Sequence, residues 1–346
     1  PFTEADCRIS LVASSRLMNR ILVIRGGAIG DFLLTLPALK LLRDAFPSAH
    51  LEILGYKHII ALAENRSYAD SVRSIDYAPL ASFFSRDGEL AAELAQYFRS
   101  FQQIVSYLFD PDEIFANNLK RCGVKNLVKA SPQINDGEHA ARQLARPLEQ
   151  LGLFLEDPAA VLYPNKEDRM FARKFLERGV RPLLALHPGS GGERKNWALE
   201  NWRELGDWLT ESMQPSTLLI VIGEADESRA RQLKESWAKS PVCFAQNLPL
   251  PRVAALLEQC AAFIGHDSGI SHLAAAVGAP SLLLFGPTDP EIWAPVGENV
   301  RTLRAPEGNL RALEFQTVRD ALEKWRKLPA CDPTRTQAGS LRHSKS

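Results

Sequence analysis

Met18-Asn19-Arg20-Ile21-Leu22-Val23-Ile24-Arg25-Gly26-Gly27-Ala28-Ile29-Gly30-Asp31-Phe32-Leu33 opens on a short apolar run, breaks at glycines, and resumes as a helix-period pattern through Leu36, Leu39 and Leu42. A strand, a glycine turn and an amphipathic helix in that order are the start of a βαβ unit. Downstream, residues 50–56, 71–77 and 103–109 read as further strands with helical patterns between them. That alternation specifies an α/β fold with a parallel sheet covered by helices on both faces.

A second such series follows. The stretch 152–182 carries Pro158, Pro164, Gly179 and Pro182, and a new strand is expected at 183–187, so the domain boundary is placed in this stretch. Residues 218–222, 262–265 and 281–285 read as buried strands, each running into a glycine-containing loop, and such loops are where open α/β sheets bind ligands. Residues 311–328, with Leu313, Val318, Leu322 and Trp325 at helical spacing, read as a closing helix. The expected division is therefore 18–165 and 166–310, followed by that helix. Residues 1–17 and 329–346 are expected to be a disordered extension and tail.

The chain has 346 residues, more than one hydrophobic core usually serves. Its 41 basic and 41 acidic residues balance, which argues against a general nucleic-acid binder. Five scattered cysteines form no CxxC pair, so neither a zinc site nor a disulfide framework is indicated and a reducing cytoplasm is expected. No apolar run approaches the roughly 20 residues needed to span a bilayer, leaving only peripheral membrane contact open.

Three loops carry candidate chemistry. In the first, Gly27 and Gly30 permit close approach, and Asp31 at the helix start is a carboxylate able to accept a proton from a sugar hydroxyl, or a plain N-cap. The spacing is not GxGxxG, and Glu52 falls inside a strand rather than where a ribose-binding acid would stand. In the second, Ser190, Gly191 and Lys195 suit a diphosphate through backbone N–H groups, a hydroxyl and a point charge; a solvated surface loop is the competing reading. Glu224, after another buried strand, could accept two ribose hydroxyls or cap a helix. In the third, Asp267, Ser268 and Gly269 stand at a helix start suited to phosphate, with His272 a turn further on, either reaching the ligand or packed between helices. Neighbouring His266, Asp267 and Ser268 do not make a hydrolase triad, since consecutive residues rarely meet in that geometry and no GxSxG elbow is present.

Taken in order, Gly27-Ala28-Ile29-Gly30-Asp31 with Leu36-Pro37-Ala38-Leu39, His187-Pro188-Gly189-Ser190 with Lys195-Asn196-Trp197, Asp267-Ser268-Gly269 with His272-Leu273-Ala274, and Leu284-Phe285-Gly286-Pro287-Thr288 resemble the ADP-heptose:lipopolysaccharide heptosyltransferases, glycosyltransferase family nine. The resemblance runs from Arg20 to about Val300. It implies a GT-B fold of two Rossmann-like domains whose parallel sheets face across a cleft, an acceptor domain first and a donor domain second. It further implies an inverting, metal-independent transfer of a heptose from ADP-heptose to a lipopolysaccharide core, with no cofactor, at the cytoplasmic face of the inner membrane.

On this resemblance Asp31 matches the catalytic base, and Lys195, Glu224 and Asp267 match positions that hold the nucleotide-sugar. Ser190, Gly191, Ser268, Gly269 and His272 match the surrounding donor loops, and Gly27 and Gly30 belong to the acceptor loop. The chain departs from the family at Asn196, where a basic or aromatic residue is common, and at His266, where asparagine is usual. A nucleotide-sugar epimerase of the same architecture and a catalytically silent nucleotide-sugar binder remain the alternatives; the single acid/base candidate in the first domain, Asp31, favours transfer.

Overall fold

The computed structural model describes residues 18–86, 88–177, 179–212, 216–223, 227–238, 240 and 242–326. The segments 1–17 and 329–346 and Glu224 lie outside these residues. The chain forms two compact units that divide between Ala160 and Val161. The division falls ahead of 165/166 because the lead-in to the next helix belongs to the second unit: the Leu162 N–H donates to the Ala276 carbonyl at 2.8 Å.

In the first unit β1 (Arg20–Arg25), β2 (His50–Gly55), β3 (Ser71–Ser74), β4 (Gln103–Ser106) and β5 (Leu127–Lys129) pair in parallel in the order β3-β2-β1-β4-β5. Helices α1 (Ile29–Ala45), α2 (Lys57–Ile60), α3 (Ala92–Arg99) and α4 (Ile114–Arg121) connect them, and α5 (Ala140–Ala145) follows β5. Strand β1 lies between β2 and β4, with Ile21 opposite both Leu51 and Gln103. Its residues Ile21 to Ile24 are fully buried, which is why the strand reads as an unbroken apolar run instead of an alternating one. One face of the sheet packs Leu22, Ile24, Leu54 and Ile104 against Phe83, Phe98 and Phe115. β3 and β4 end before the strands expected at 71–77 and 103–109. After Ser106 the chain makes one more sheet bond, from the Tyr107 N–H to the Ile24 carbonyl, and then turns.

The second unit contains α6 (Lys166–Phe175), β6 (Leu183–His187), α7 (Leu199–Ser212), β7 (Thr217–Ile222), α8 (Glu227–Ser236), β8 (Val242–Gln246), α9 (Leu250–Leu257), β9 (Ala262–His266), α10 (Gly269–Ala276), β10 (Ser281–Phe285), α11 (Pro290–Trp293), β11 (Val300–Arg304) and α12 (Phe315–Arg326). Its parallel sheet runs β11-β10-β9-β6-β7-β8. Counted within the unit, this is the 3-2-1-4-5-6 order of dinucleotide-binding sheets, and the first unit has the same order without the sixth strand. The closing helix begins at Phe315, not 311, because the Asn309 side chain caps a separate 3-10 turn at Leu310–Ala312 and Leu313 then leaves helical conformation.

Because every strand in a sheet points the same way, all carboxyl ends share one edge. The strand order reverses between β1 and β4 in the first unit and between β6 and β9 in the second. Ligands of open α/β sheets bind at such reversals, and the loops that leave these strands carry the candidate residues.

Candidate functional site

In the first unit the chain leaves β1 through Gly26, Gly27 and Ala28. Asp31 is the third residue of α1, while Ala28, in extended conformation, takes the N-cap position. The plain N-cap alternative for Asp31 is thus corrected: its carboxylate reaches back, and Oδ2 accepts the Ala28 N–H at 2.8 Å. Gly27 makes this possible. Its φ is +99°, and a Cβ there would stand 2.7 Å from Asp31 Oδ2, so a side chain would collide with the carboxylate.

Under this turn lies Arg25, which sequence reasoning passed over as the end of an apolar run. Its side chain is only 3% exposed, yet its NH2 lies 3.9 Å from Asp31 Oδ1 and donates to the Asp31 carbonyl at 3.1 Å. Its Nε donates to Thr35 Oγ1 at 3.0 Å, and the guanidinium lies over the Tyr107 ring at 5.7 Å. Burial pulls the Arg25 guanidinium below its ordinary range, and the opposing field of Asp31 partly restores it. The Asp31 side chain remains 37% exposed. The result is a carboxylate with one oxygen fixed by a backbone amide, a buried cation behind it and water in front.

Beside this loop, at the carboxyl ends of β4 and β5, is a cavity of about 390 Å³ lined by Leu108, Phe109, Lys129, Ser131 and Gln133 among others. Lys129 is paired with Glu113 at 2.5 Å. The sequence also holds a DxD pair here, Asp110 and Asp112. Asp110 caps α4 by accepting the Phe115 and Ala116 N–H groups, and Asp112 pairs with Arg86 at 3.1 Å. Among the described residues no group of three or more His, Cys, Asp or Glu is placed to hold a metal ion.

In the second unit the long loop after β6 brings Lys195 to the residue that follows β9. Lys195 Nζ donates to Asp267 Oδ2 at 2.6 Å, and Thr288 Oγ1, from the loop after β10, donates to the same oxygen at 2.7 Å. The Asp267 side chain is 10% exposed and that of Lys195 36%. One of the three ammonium protons is spent on Asp267, which fixes the direction of the side chain and leaves the other two for anionic oxygens. Thr288 was quoted in the sequence only as the last residue of the Leu284–Thr288 motif; its hydroxyl role shows only once three strand ends are side by side.

The other expected donor residues fall into distinct roles. Ser268 is the N-cap of α10: its Oγ accepts the Ser271 N–H at 3.3 Å and lies 3.2 Å from Ser271 Oγ, which in turn donates to the His266 carbonyl. Gly269 is the first residue of α10. His272, on the same helix, is buried. Ser190 Oγ donates to the Gly192 carbonyl at 2.9 Å, folding the glycine loop on itself, and Gly191 has open space around it. Three of the four quoted motifs therefore meet directly, Lys195 and Thr288 both on Asp267.

The family model of glycosyltransferase family 9 (heptosyltransferase) matches residues 128–322. The chain belongs to glycosyltransferase family 9. This family 9 enzyme is 26% identical to lipopolysaccharide heptosyltransferase 1 of Escherichia coli (strain K12), over 88% of its own length and 99% of the relative's. Among solved structures, the family 9 glycosyl transferase from Veillonella parvula DSM 2008 superposes with a TM-score of 0.73 at 20% identity, covering 88% of this chain and 96% of that one. The E. coli heptosyltransferase WaaC with ADP superposes at 0.65 with 21% identity, covering 88% and 99%. At these identities the structures establish the shared GT-B fold. No helix among the described residues is long and apolar enough to cross a membrane.

Proposed function

We propose that the enzyme transfers a heptose from ADP-heptose to a hydroxyl of a lipopolysaccharide-core or similar glycan acceptor, with inversion at the anomeric carbon and Asp31 as general base. The observation that carries this reading is the state of Asp31: a partly exposed carboxylate, held by the Ala28 N–H and backed by buried Arg25, at the strand-order reversal of the first sheet. In a single displacement Asp31 takes the proton of the acceptor hydroxyl while that oxygen bonds to the anomeric carbon. The bond from that carbon to the diphosphate breaks, and ADP leaves with the electron pair. Lys195, aimed by Asp267, and the start of α10 stabilise the charge that grows on the departing diphosphate, help that can be worth several kcal/mol.

Support for an adenine nucleotide donor comes from the relative solved with ADP, and support for the acceptor class from the relative named a lipopolysaccharide heptosyltransferase. The resemblance assigns the ribose to Glu224 and further donor contacts to Ser190, Gly191, Ser268, Gly269 and His272. The cavity by Phe109 and Lys129 offers room for an acceptor ring. In this reading the reaction is cytoplasmic, with peripheral contact to the inner membrane, and uses no cofactor and no nucleic acid.

The test is ADP release from ADP-heptose with core-oligosaccharide and lipid-linked acceptors, comparing wild type with Asp31→Asn, which keeps the bond to Ala28. Acceptor-dependent release should fall about 10²- to 10⁴-fold in the variant while ADP affinity stays within about twofold. Unchanged turnover in Asp31→Asn would sink the base assignment. Release that never depends on an acceptor would sink transfer itself.

A further inference from the structure

The residue before Asp267 is a histidine, and it is completely buried. The Trp197 backbone N–H donates to His266 Nε2 at 2.8 Å, and His266 Nδ1 lies 3.3 Å from the Gly189 carbonyl. A backbone amide can only donate and a carbonyl can only accept, so Nε2 must carry the lone pair and Nδ1 the proton. The two partners stand near the two ends of the glycine-rich segment that contains Lys195. His266 is the last residue of β9, and its backbone carbonyl receives the Ser271 hydroxyl. Trp202 packs edge-on against the imidazole at 5.1 Å and against Trp197 at 5.3 Å, which holds the ring plane.

We propose that His266 is a positioning residue of the donor site: its neutral Nδ1–H imidazole clips Gly189 and Trp197 to the end of β9 and so fixes where Lys195 meets Asp267. This rests on the reading of Lys195 as a diphosphate ligand. The segment 189–197 holds three glycines, Gly189, Gly191 and Gly192, and would otherwise lose much conformational freedom each time a donor bound. With both ends tied, that ordering is complete before the donor arrives. Burial, together with nearby His187 and Arg229, disfavours a proton on the second nitrogen, so the clip is not released by charging at neutral pH. An asparagine here ends near the position of Nδ1 and can serve Gly189, but it is too short to reach the Trp197 N–H. A glutamine places its oxygen close to the position of Nε2.

The full-length enzyme and its His266→Asn and His266→Gln variants test this with ADP as the probe. Calorimetry measures ADP affinity, steady-state kinetics separate donor KM from kcat, and ¹⁵N NMR reads the ring tautomer and the exchange of the Trp197 amide. His266→Asn should weaken ADP binding and raise donor KM about 10-fold, the scale of one net hydrogen bond, with kcat changed less. Trp197 amide exchange should speed up by a similar factor, and His266→Gln should restore both to within about threefold. Wild-type spectra should show protonated Nδ1 and bare Nε2. The clip is overturned if the wild-type ring carries its proton on Nε2, or if His266→Asn frees the Trp197 amide without weakening ADP. A wild-type enzyme that does not bind ADP overturns the donor reading, and the tautomer and exchange measurements then judge the clip alone.

Discussion

At the edge of the first sheet a carboxylate stands forward and a buried guanidinium backs it; at the edge of the second an ammonium stands forward and a mostly covered carboxylate backs it. The forward groups are nearly equal in exposure, 37% for Asp31 and 36% for Lys195, while of their partners the Arg25 side chain is 3% exposed and that of Asp267 10%. The two pairs differ in tightness. Arg25 and Asp31 approach only to 3.9 Å, and the main-chain amide of Ala28 does the fixing. Lys195 and Asp267 meet at 2.6 Å, which suits a group whose task is to stay charged and aimed. Apart from the sixth strand of the second sheet, strand order and loop position are the same in both units, and under the proposed function the sign of the forward charge separates a proton-accepting edge from an anion-binding one.

Lys195→Met gives the largest expected effect on this comparison. Donor KM should rise about 100-fold, the loss of a charge-assisted contact, with acceptor KM nearly unchanged in a two-substrate kinetic matrix. A rise in acceptor KM instead would break the division of labour. Gly27→Ala comes next. The new methyl group would meet Asp31 Oδ2 in a backbone region costly for alanine, so unfolding stability should drop by about 2 kcal/mol in denaturant titration. Turnover should fall while ADP affinity holds.

The pH dependence of stability gives a smaller effect. Burial holds the His266 ring at about 3, far below its ordinary 6.5. Between these values the unfolded chain binds a proton that the folded chain refuses, so this group's contribution to stability is lost as pH falls from 6.5 toward 3 and is level above 6.5. The slope reaches ~1.4 kcal/mol per pH unit. Thermal unfolding between pH 7 and 5 should therefore fall more steeply for wild type than for His266→Gln, and parallel curves would contradict a buried neutral ring. Smallest is Thr288→Val, which removes one hydrogen bond from Asp267 and should cost about 1 kcal/mol in donor affinity by calorimetry.

The central strands were readable because they are buried on both faces and leave unbroken apolar runs, as in Ile21 to Ile24. Of the edge strands only β3 was readable; β5, β8 and β11 were not, since their partly exposed residues leave no unbroken apolar run and, in β11, include Arg301 and Arg304. Asp31 was legible as a carboxylate at a helix start, but its exact helical position depended on Ala28 adopting an extended conformation. Arg25, Thr288 and the clip by His266 left no local signal. Their partners are remote in sequence or lie across a turn whose geometry only the folded chain defines.

Asp267 draws its cation from 72 positions upstream and its hydroxyl from 21 positions downstream. On a chain emerging from a ribosome, the lysine is made first, the carboxylate much later and the threonine later still. If this cluster holds the donor as proposed, competence to hold it arrives as one late event, like a lock whose last tumbler is cut near the end of the key. A nucleotide analogue that lights up on capture would clock the moment when β6, β9 and β10 come into alignment.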